Sequence, residues 1–318
     1  MPYNISPLKQ SLSLLLLLYI EIPQSYSQFI LHGTFTRISL KMDVVGRSNG
    51  AKYECLLFDM DDTLYPLSLG LNLACRKNIE EFMLQYLHIE ETKVPTMCLE
   101  LYRECGTTMA GLKELGYEFD NDEFHAYVHG RLPYDALKPD PVLRNLLLSM
   151  PQRKLIFTNA DKAHATQVLH RLGLEDCFEG IICFETLNPP PEPLDSIAAA
   201  SPEAHSNGLI ETRKQTSNSK ILCKPSLEAM KAAIQIACVE PKKTLFFDDS
   251  ARNIASGKAA GLQTVIVGSS VLVPGADHAL GSIHNIKEAL PEIWDDEVGK
   301  QLQLELLIQS SAVETVVA

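Results

Sequence analysis

Cys55-Leu56-Leu57-Phe58-Asp59-Met60-Asp61-Asp62-Thr63-Leu64 is the stretch on which the fold turns. Its first four residues are apolar without interruption, the pattern of a strand buried on both faces rather than on one. The residues that follow put three carboxylates within four positions, at 59, 61 and 62. Like charges packed so closely at a strand end repel unless a cation lies among them. A hard divalent ion with oxygen ligands, such as Mg²⁺, answers that need.

Outward from this stretch the same pairing recurs. Lys154-Leu155-Ile156-Phe157 runs into Thr158-Asn159, and Thr244-Leu245-Phe246-Phe247 runs into Asp248-Asp249-Ser250. Ile181–Phe184 and Thr264–Val267 are two more short apolar runs. Helical spacing predicts helices over about 69–87, 95–115 and 121–130. Asp140-Pro141 supplies an N-cap and first-turn proline for a helix over 142–150. Others follow over 162–172, closed by Gly173, over 226–237 and over 253–260. Strands alternating with helices predict an α/β fold, a parallel sheet of five strands covered on both faces. The block over 67–140 is too long for a simple crossover and reads as a small helical cap inserted after the first strand. The core domain is then 51–66 with 141–292. Residues 188–219, rich in proline, serine and asparagine, form a disordered insertion within it. Residues 1–50 are a poorly ordered extension, and 293–318 a C-terminal helix and tail.

Composition narrows the function. Of the 318 residues 46% are hydrophobic and 21% charged, with a formal charge of −12. No basic run exceeds short pairs such as Lys242-Lys243, so a nucleic acid polymer is not an expected partner. Eight cysteines carry no C-x-x-C pair and several lie in apolar runs, as free thiols of a reducing compartment do. That predicts a cytoplasmic or nuclear protein. Leu12–Ile20, preceded by Lys9, resembles the core of a secretory signal. It is too short to span a bilayer, so no stable membrane span is expected, and Met42 offers an alternative start just upstream of the first strand.

In parallel α/β sheets ligands bind at the carboxyl ends of the strands, and every notable polar motif sits at such an end. Asp59 and Asp61 offer a carboxylate nucleophile and a second carboxylate. Thr158 and Asn159 offer a hydroxyl and an amide for a phosphate oxygen. Lys224, just before the helix over 226–237, offers a point charge for an anion. Asp248 and Asp249 complete an acidic metal site. Together these groups suit phosphoryl transfer, which needs positioning and charge neutralisation. Taken singly, Asp248-Asp249 could cap the next helix and Thr158-Asn159 could be a turn. Their shared edge carries the catalytic reading.

Phe58-Asp59-Met60-Asp61-Asp62-Thr63-Leu64 resembles the first signature of the haloacid dehalogenase superfamily, and Thr158, Lys224 and Asp248-Asp249 resemble the second, third and fourth in order. The resemblance covers residue 53 to about 270. It implies a Rossmann-like sheet and attack of Asp59 on phosphorus to give an aspartyl-phosphate. Asp61 would protonate the leaving oxygen and then activate water. Mg²⁺ would be held by Asp59, the Asp61 backbone carbonyl and Asp249, with Asp248 nearby. Tyr65-Pro66, the stretch Gly106–Leu112 and His129-Gly130-Arg131-Leu132-Pro133-Tyr134 are similar to the pyrimidine 5′-nucleotidase branch, its plant members above all. That implies a small phosphorylated metabolite, a pyrimidine nucleoside monophosphate, as substrate. His129 and Arg131 are then candidate substrate contacts from the cap, with Tyr65 and Tyr134 as packing residues. The chain departs from the compact pattern at 188–219, just before Lys224, so the reading turns on where that lysine stands. The alternatives are a phosphatase or phosphomutase acting on a sugar phosphate, and a catalytically silent regulator on the same fold.

Overall fold

Leu56 and Phe58 of strand β1 (Cys55–Phe58) point into one apolar cluster while Cys55 and Leu57 point into another. A strand with both faces buried must lie inside a sheet covered on both sides. The computed structural model describes residues 52–190 and 220–294. The expected N-terminal extension, nearly all of the 188–219 insertion and all but the first two residues of the C-terminal helix and tail lie outside the described residues. β1 is followed by β2 (Arg153–Phe157), β3 (Gly180–Ile182), β4 (Thr244–Asp248), β5 (Gln263–Val267) and β6 (His278–Leu280). They form one parallel sheet in the order β3-β2-β1-β4-β5-β6. The fold is α/β and Rossmann-like, with the order reversing beside β1, the place where such sheets open a crevice. The register sets Phe58 opposite both Ile156 and Phe247. Strand ends β1, β2 and β4 therefore finish level.

Between β1 and β2 run α1 (Leu71–Gln85), α2 (Val94–Cys105), α3 (Thr108–Glu114), α4 (Asn121–His129) and, returning to the sheet, α5 (Pro141–Leu148). Phe82, Met83, Val94, Leu112, Phe124 and Val128 from the first four of these form an apolar cluster of their own, joined by Phe184. After β2 come α6 (Lys162–Leu172) and α7 (Phe184–Leu187), then α8 (Leu227–Ala237), α9 (Ala251–Ala259) and α10 (Ile286–Ala289). α5 and α6 cover the Leu56/Phe58 face, and α8 and α9 the other. No helix among the described residues is long and apolar enough to cross a membrane.

Three local expectations change. The helix expected over 95–115 is two helices, because Gly106 turns the chain at φ +91° and Thr107 caps α3 through the Ala110 N–H. The strand expected over 181–184 stops at Ile182, and Cys183 opens α7 instead. A sixth strand, β6, was not expected; it is three residues long with two half-buried positions, too short to show a period.

Candidate active site

The β1 ladder runs on by one bond, Asp59 N–H to Phe247 O at 2.8 Å, and the chain then turns through Asp62 at φ +60°. Aspartate tolerates that left-handed geometry better than most residues. The turn aims Thr63 Oγ1 back at Asp59 Oδ2, 3.0 Å away. Lys224, 1% exposed, donates to Asp59 Oδ1 at 2.6 Å, Asp248 Oδ2 at 2.8 Å and Phe157 O at 2.7 Å. All three ammonium protons are taken. Burial works against its charge, but Asp248 and Asp59 outweigh it and raise the lysine above its usual range.

Lys224 stands there although the expected insertion ends just before it. Asn188 exchanges hydrogen bonds with the Leu222 backbone at 2.7 and 3.0 Å, so the two ends of the intervening segment lie side by side. Asn159 then clamps the lysine peptide, accepting from Lys224 N–H at 2.8 Å and donating to Lys224 O at 2.9 Å. Asn159 therefore positions the lysine, a role sequence reading did not give it, while its second amide proton stays open towards the cavity that it lines. Thr158 is buried, and its Oγ1 accepts from Ala160 N–H at 3.1 Å, which leaves the hydroxyl proton to donate.

One oxygen from each of Asp59, Asp248 and Asp249 lies within 4.8 Å of the others. Asp248 is oriented by Ser250 N–H and Asn253 Nδ2, each 2.9 Å from Oδ1. One ammonium against three carboxylates leaves a formal charge of −2. Burial accordingly pushes Asp59 well above the carboxylate range, Lys224 pulling against it and Asp248 and Asp249 adding to it. Loss of solvent, then Asp248 and Asp62, pushes Asp249 up to about 7. Asp62 is pushed up to about 6 by burial, and its Oδ1 is buried without a partner. An all-oxygen set with an excess of two negative charges fits a hard divalent cation, which six oxygens surround at about 2.1 Å in the case of Mg²⁺.

The Asp61 carboxylate is not part of that cluster. Tyr65 OH donates to its Oδ1 at 2.5 Å, and His164 Nε2 lies 2.8 Å from the same oxygen. Burial works upward on Asp61, but the His164 imidazole prevails and holds it below the usual range. Tyr134 OH in turn sits 2.7 Å from His164 Nδ1. Both tyrosines thus carry polar contacts at the site, where sequence reading gave them only packing. A cavity of about 230 Å³ opens beside Asp61 and His164, walled by apolar residues such as Met109, Phe124, Val128 and Phe184. His129 lines it, stacked on His164 with ring centroids 4.5 Å apart and bonded through Nδ1 to Asp161. Arg131 is not brought to the site. It pairs with Glu81 at 2.9 Å and lies over the Tyr127 ring, where a carboxylate and an aromatic face satisfy its guanidinium away from the cavity. His164 is the residue sequence reading missed. The available signal was its place at the third position of the helix that opens directly after Thr158-Asn159.

Residues 53–261 match the family profile of the haloacid dehalogenase-like hydrolases. "Phosphate metabolism protein 8" of Saccharomyces cerevisiae is 26% identical over 218 residues, 66% of this chain and 60% of that protein. The chain therefore spans about 60% of that relative's length. Among solved structures, a HAD-hydrolase of Bacillus subtilis bound to magnesium, YfnB, is 20% identical, with 74% of this chain and 98% of that one covered and a TM-score of 0.44. CbbY of Rhodobacter sphaeroides in complex with phosphate is 16% identical, with 76% and 99% covered and a TM-score of 0.47. With four polar motifs on one sheet edge and a profile match across 53–261, the chain belongs to the haloacid dehalogenase-like hydrolases.

Proposed function

We propose that this protein is a Mg²⁺-dependent phosphomonoester hydrolase working through an aspartyl-phosphate on Asp59, with a pyrimidine nucleoside 5′-monophosphate as substrate. The observation that carries it is the buried Lys224 ammonium bridging Asp59 and Asp248 at 2.6 and 2.8 Å, with Asp249 alongside. A lysine so placed neutralises a carboxylate nucleophile's site and leaves room at its edge for a phosphate and a cation. Asp61, which His164 favours as a carboxylate, takes up a proton as the anionic phosphate settles beside it; Asp59 attacks phosphorus, the ester P–O bond breaks, and the leaving oxygen takes that proton. Asp61 then removes a proton from water, whose oxygen attacks phosphorus and returns Asp59 as a carboxylate. Thr158, with its hydroxyl proton free, holds a phosphate oxygen, and Lys224 supplies the positive charge beside it. Mg²⁺, held by Asp59, the Asp61 carbonyl and Asp249 with Asp248 adjoining, would neutralise the phosphate's charge.

The helical block over 67–140 acts as the cap that selects the leaving group. The small, mostly apolar cavity supports a single-ring base, as does the resemblance at 65–66, 106–112 and 129–134; the relative named for phosphate metabolism supports only the phosphate chemistry. Its lining holds no lysine or arginine among the described residues. A phosphomutase must retain a second phosphate, so hydrolysis is the better reading. All eight cysteines are free thiols, which supports the cytoplasmic or nuclear placement. The test is a panel of phosphate esters with and without Mg²⁺. UMP and CMP are expected to exceed AMP and GMP in kcat/KM by about ten- to two-hundred-fold, the worth of fit in an apolar pocket. A purine nucleotide or sugar phosphate turned over as well removes the nucleotide assignment, and undiminished activity after thorough chelation removes the metal.

A further inference from the structure

We infer that His164 is a positioning residue for Asp61, the middle of a hydrogen-bonded chain Asp61–His164–Tyr134 that ties the acid/base carboxylate to the segment between β1 and β2. This rests on the hydrolase reading and concerns a residue to which that reading gives no part.

Both donors to Asp61 reach one oxygen, Tyr65 OH at 2.5 Å and His164 Nε2 at 2.8 Å on Oδ1. Oδ2 is the oxygen these donors leave free, on a side chain that lines the cavity. Two donors on one oxygen fix the plane of a carboxylate that would otherwise rotate. A general acid must deliver its proton along a defined line to the leaving oxygen, and the same group must later meet water there.

His164 can hold Asp61 only if its own ring is held. Tyr134 OH at 2.7 Å from Nδ1 does so. In the neutral ring the tyrosine donates to Nδ1, and in the imidazolium Nδ1–H donates to the tyrosine oxygen; Nε2 donates to Asp61 in both. His129 adds the stack, its plane 29° from that of His164. Asp161, the N-cap of the helix that carries His164, bonds His129 and accepts from the His164 N–H at 3.3 Å. Tyr134 and His129 come before β2, whereas Asp161 and His164 follow it. The contacts therefore join two parts of the chain, and a shift of the earlier one releases the imidazole and with it Asp61.

A merely structural histidine would move stability and affect every substrate alike. A residue positioning an acid affects the first step only where the leaving group needs a proton. The experiment compares wild type, His164→Ala, His164→Gln and Tyr134→Phe in rapid-quench measurements of Asp59 phosphorylation. UMP, whose uridine 5′-oxygen needs a proton to leave, is set against p-nitrophenyl phosphate, whose phenolate leaves unaided. His164→Ala is expected to slow phosphorylation from UMP by about 10- to 100-fold, part of what a general acid supplies, with KM little changed. The nitrophenolate burst should persist at nearly the wild-type rate. Glutamine, whose Nε2 amide can reach the same oxygen, should recover most of the loss. Tyr134→Phe removes one hydroxyl, keeps the ring, and should show the same ester dependence in weaker form; it carries the test if His164→Ala does not fold. Equal losses on both esters, an unimpaired rate with UMP, or glutamine no better than alanine overturns the inference while leaving the hydrolase reading intact. A wild type that turns over neither ester overturns that reading, and the inference with it.

Discussion

At the scale of single residues, charge and reach decide the outcome. Asp59→Asn is expected to lower kcat by at least about 10³-fold, because an amide cannot attack phosphorus, and to leave the melting temperature near wild type. Near-normal turnover in that variant would remove the nucleophile assignment. Asp61→Asn should also fail on UMP, but with p-nitrophenyl phosphate, whose leaving group needs no proton, it should trap a phosphoryl group on Asp59 that intact-protein mass spectrometry detects. His125 has a different consequence. Burial, then His129, pulls its imidazole down from 6.5 to about 4. Between those values the unfolded chain binds the extra proton, so stability falls as pH drops from 6.5 towards 4. The loss at pH 4 amounts to up to about 3 kcal/mol. His125→Gln should shrink the difference in unfolding free energy between pH 7 and pH 4 by about that amount. An unchanged difference in urea titrations at the two pH values would contradict it.

At the scale of elements, the joint between α2 and α3 governs the lysine. Gly106 has φ +91°, and a Cβ there would stand 2.4 Å from Lys224 O. Alanine at this position meets backbone that cannot step aside cheaply, since Asn159 clamps the same peptide from the other side. Gly106→Ala is expected to cost about 1–3 kcal/mol in unfolding free energy. It should also lower kcat, because Lys224 moves with its peptide. The check is whether both changes appear together. Lost stability with full activity would show that the lysine is positioned by Asn159 alone.

For the whole molecule, the parallel sheet is what makes distant residues neighbours. β1, β2 and β4 end level, so groups at 59, 158 and 248 meet although nearly 200 positions separate the first from the last. The Asn188–Leu222 hydrogen bonds close the ends of the segment before Lys224. Replacing residues 191–219 by a brief linker should therefore leave kcat unchanged and stability within about 1 kcal/mol, since loop-closure entropy varies only slowly with length. Comparing kcat and denaturation midpoints of the two chains tests this, and a collapse of activity would show that the segment itself supports the site.

What the sequence alone determined were the properties that neighbours along the chain create. Apolar runs at 55–58, 154–157 and 244–247 mark buried strands, and Gly173 closes a helix over 162–172 whose ends the structure reproduces at Lys162 and Leu172. The acidic stretch after Phe58 was legible for the same reason, because repulsion among close carboxylates is local. Only the tertiary structure decided which polar groups are left over for chemistry. Asn159 reads only as a phosphate ligand until Lys224, 65 residues on, brings its peptide against the same amide. Arg131 reads as a substrate contact until Glu81 pairs with it. His164 reads as one helical residue among many until the sheet brings Asp61, 103 residues away, within 2.8 Å. The physical reason is that burial follows a periodicity written along the chain, whereas a hydrogen bond needs its two atoms within about 3 Å, and that distance is set by packing.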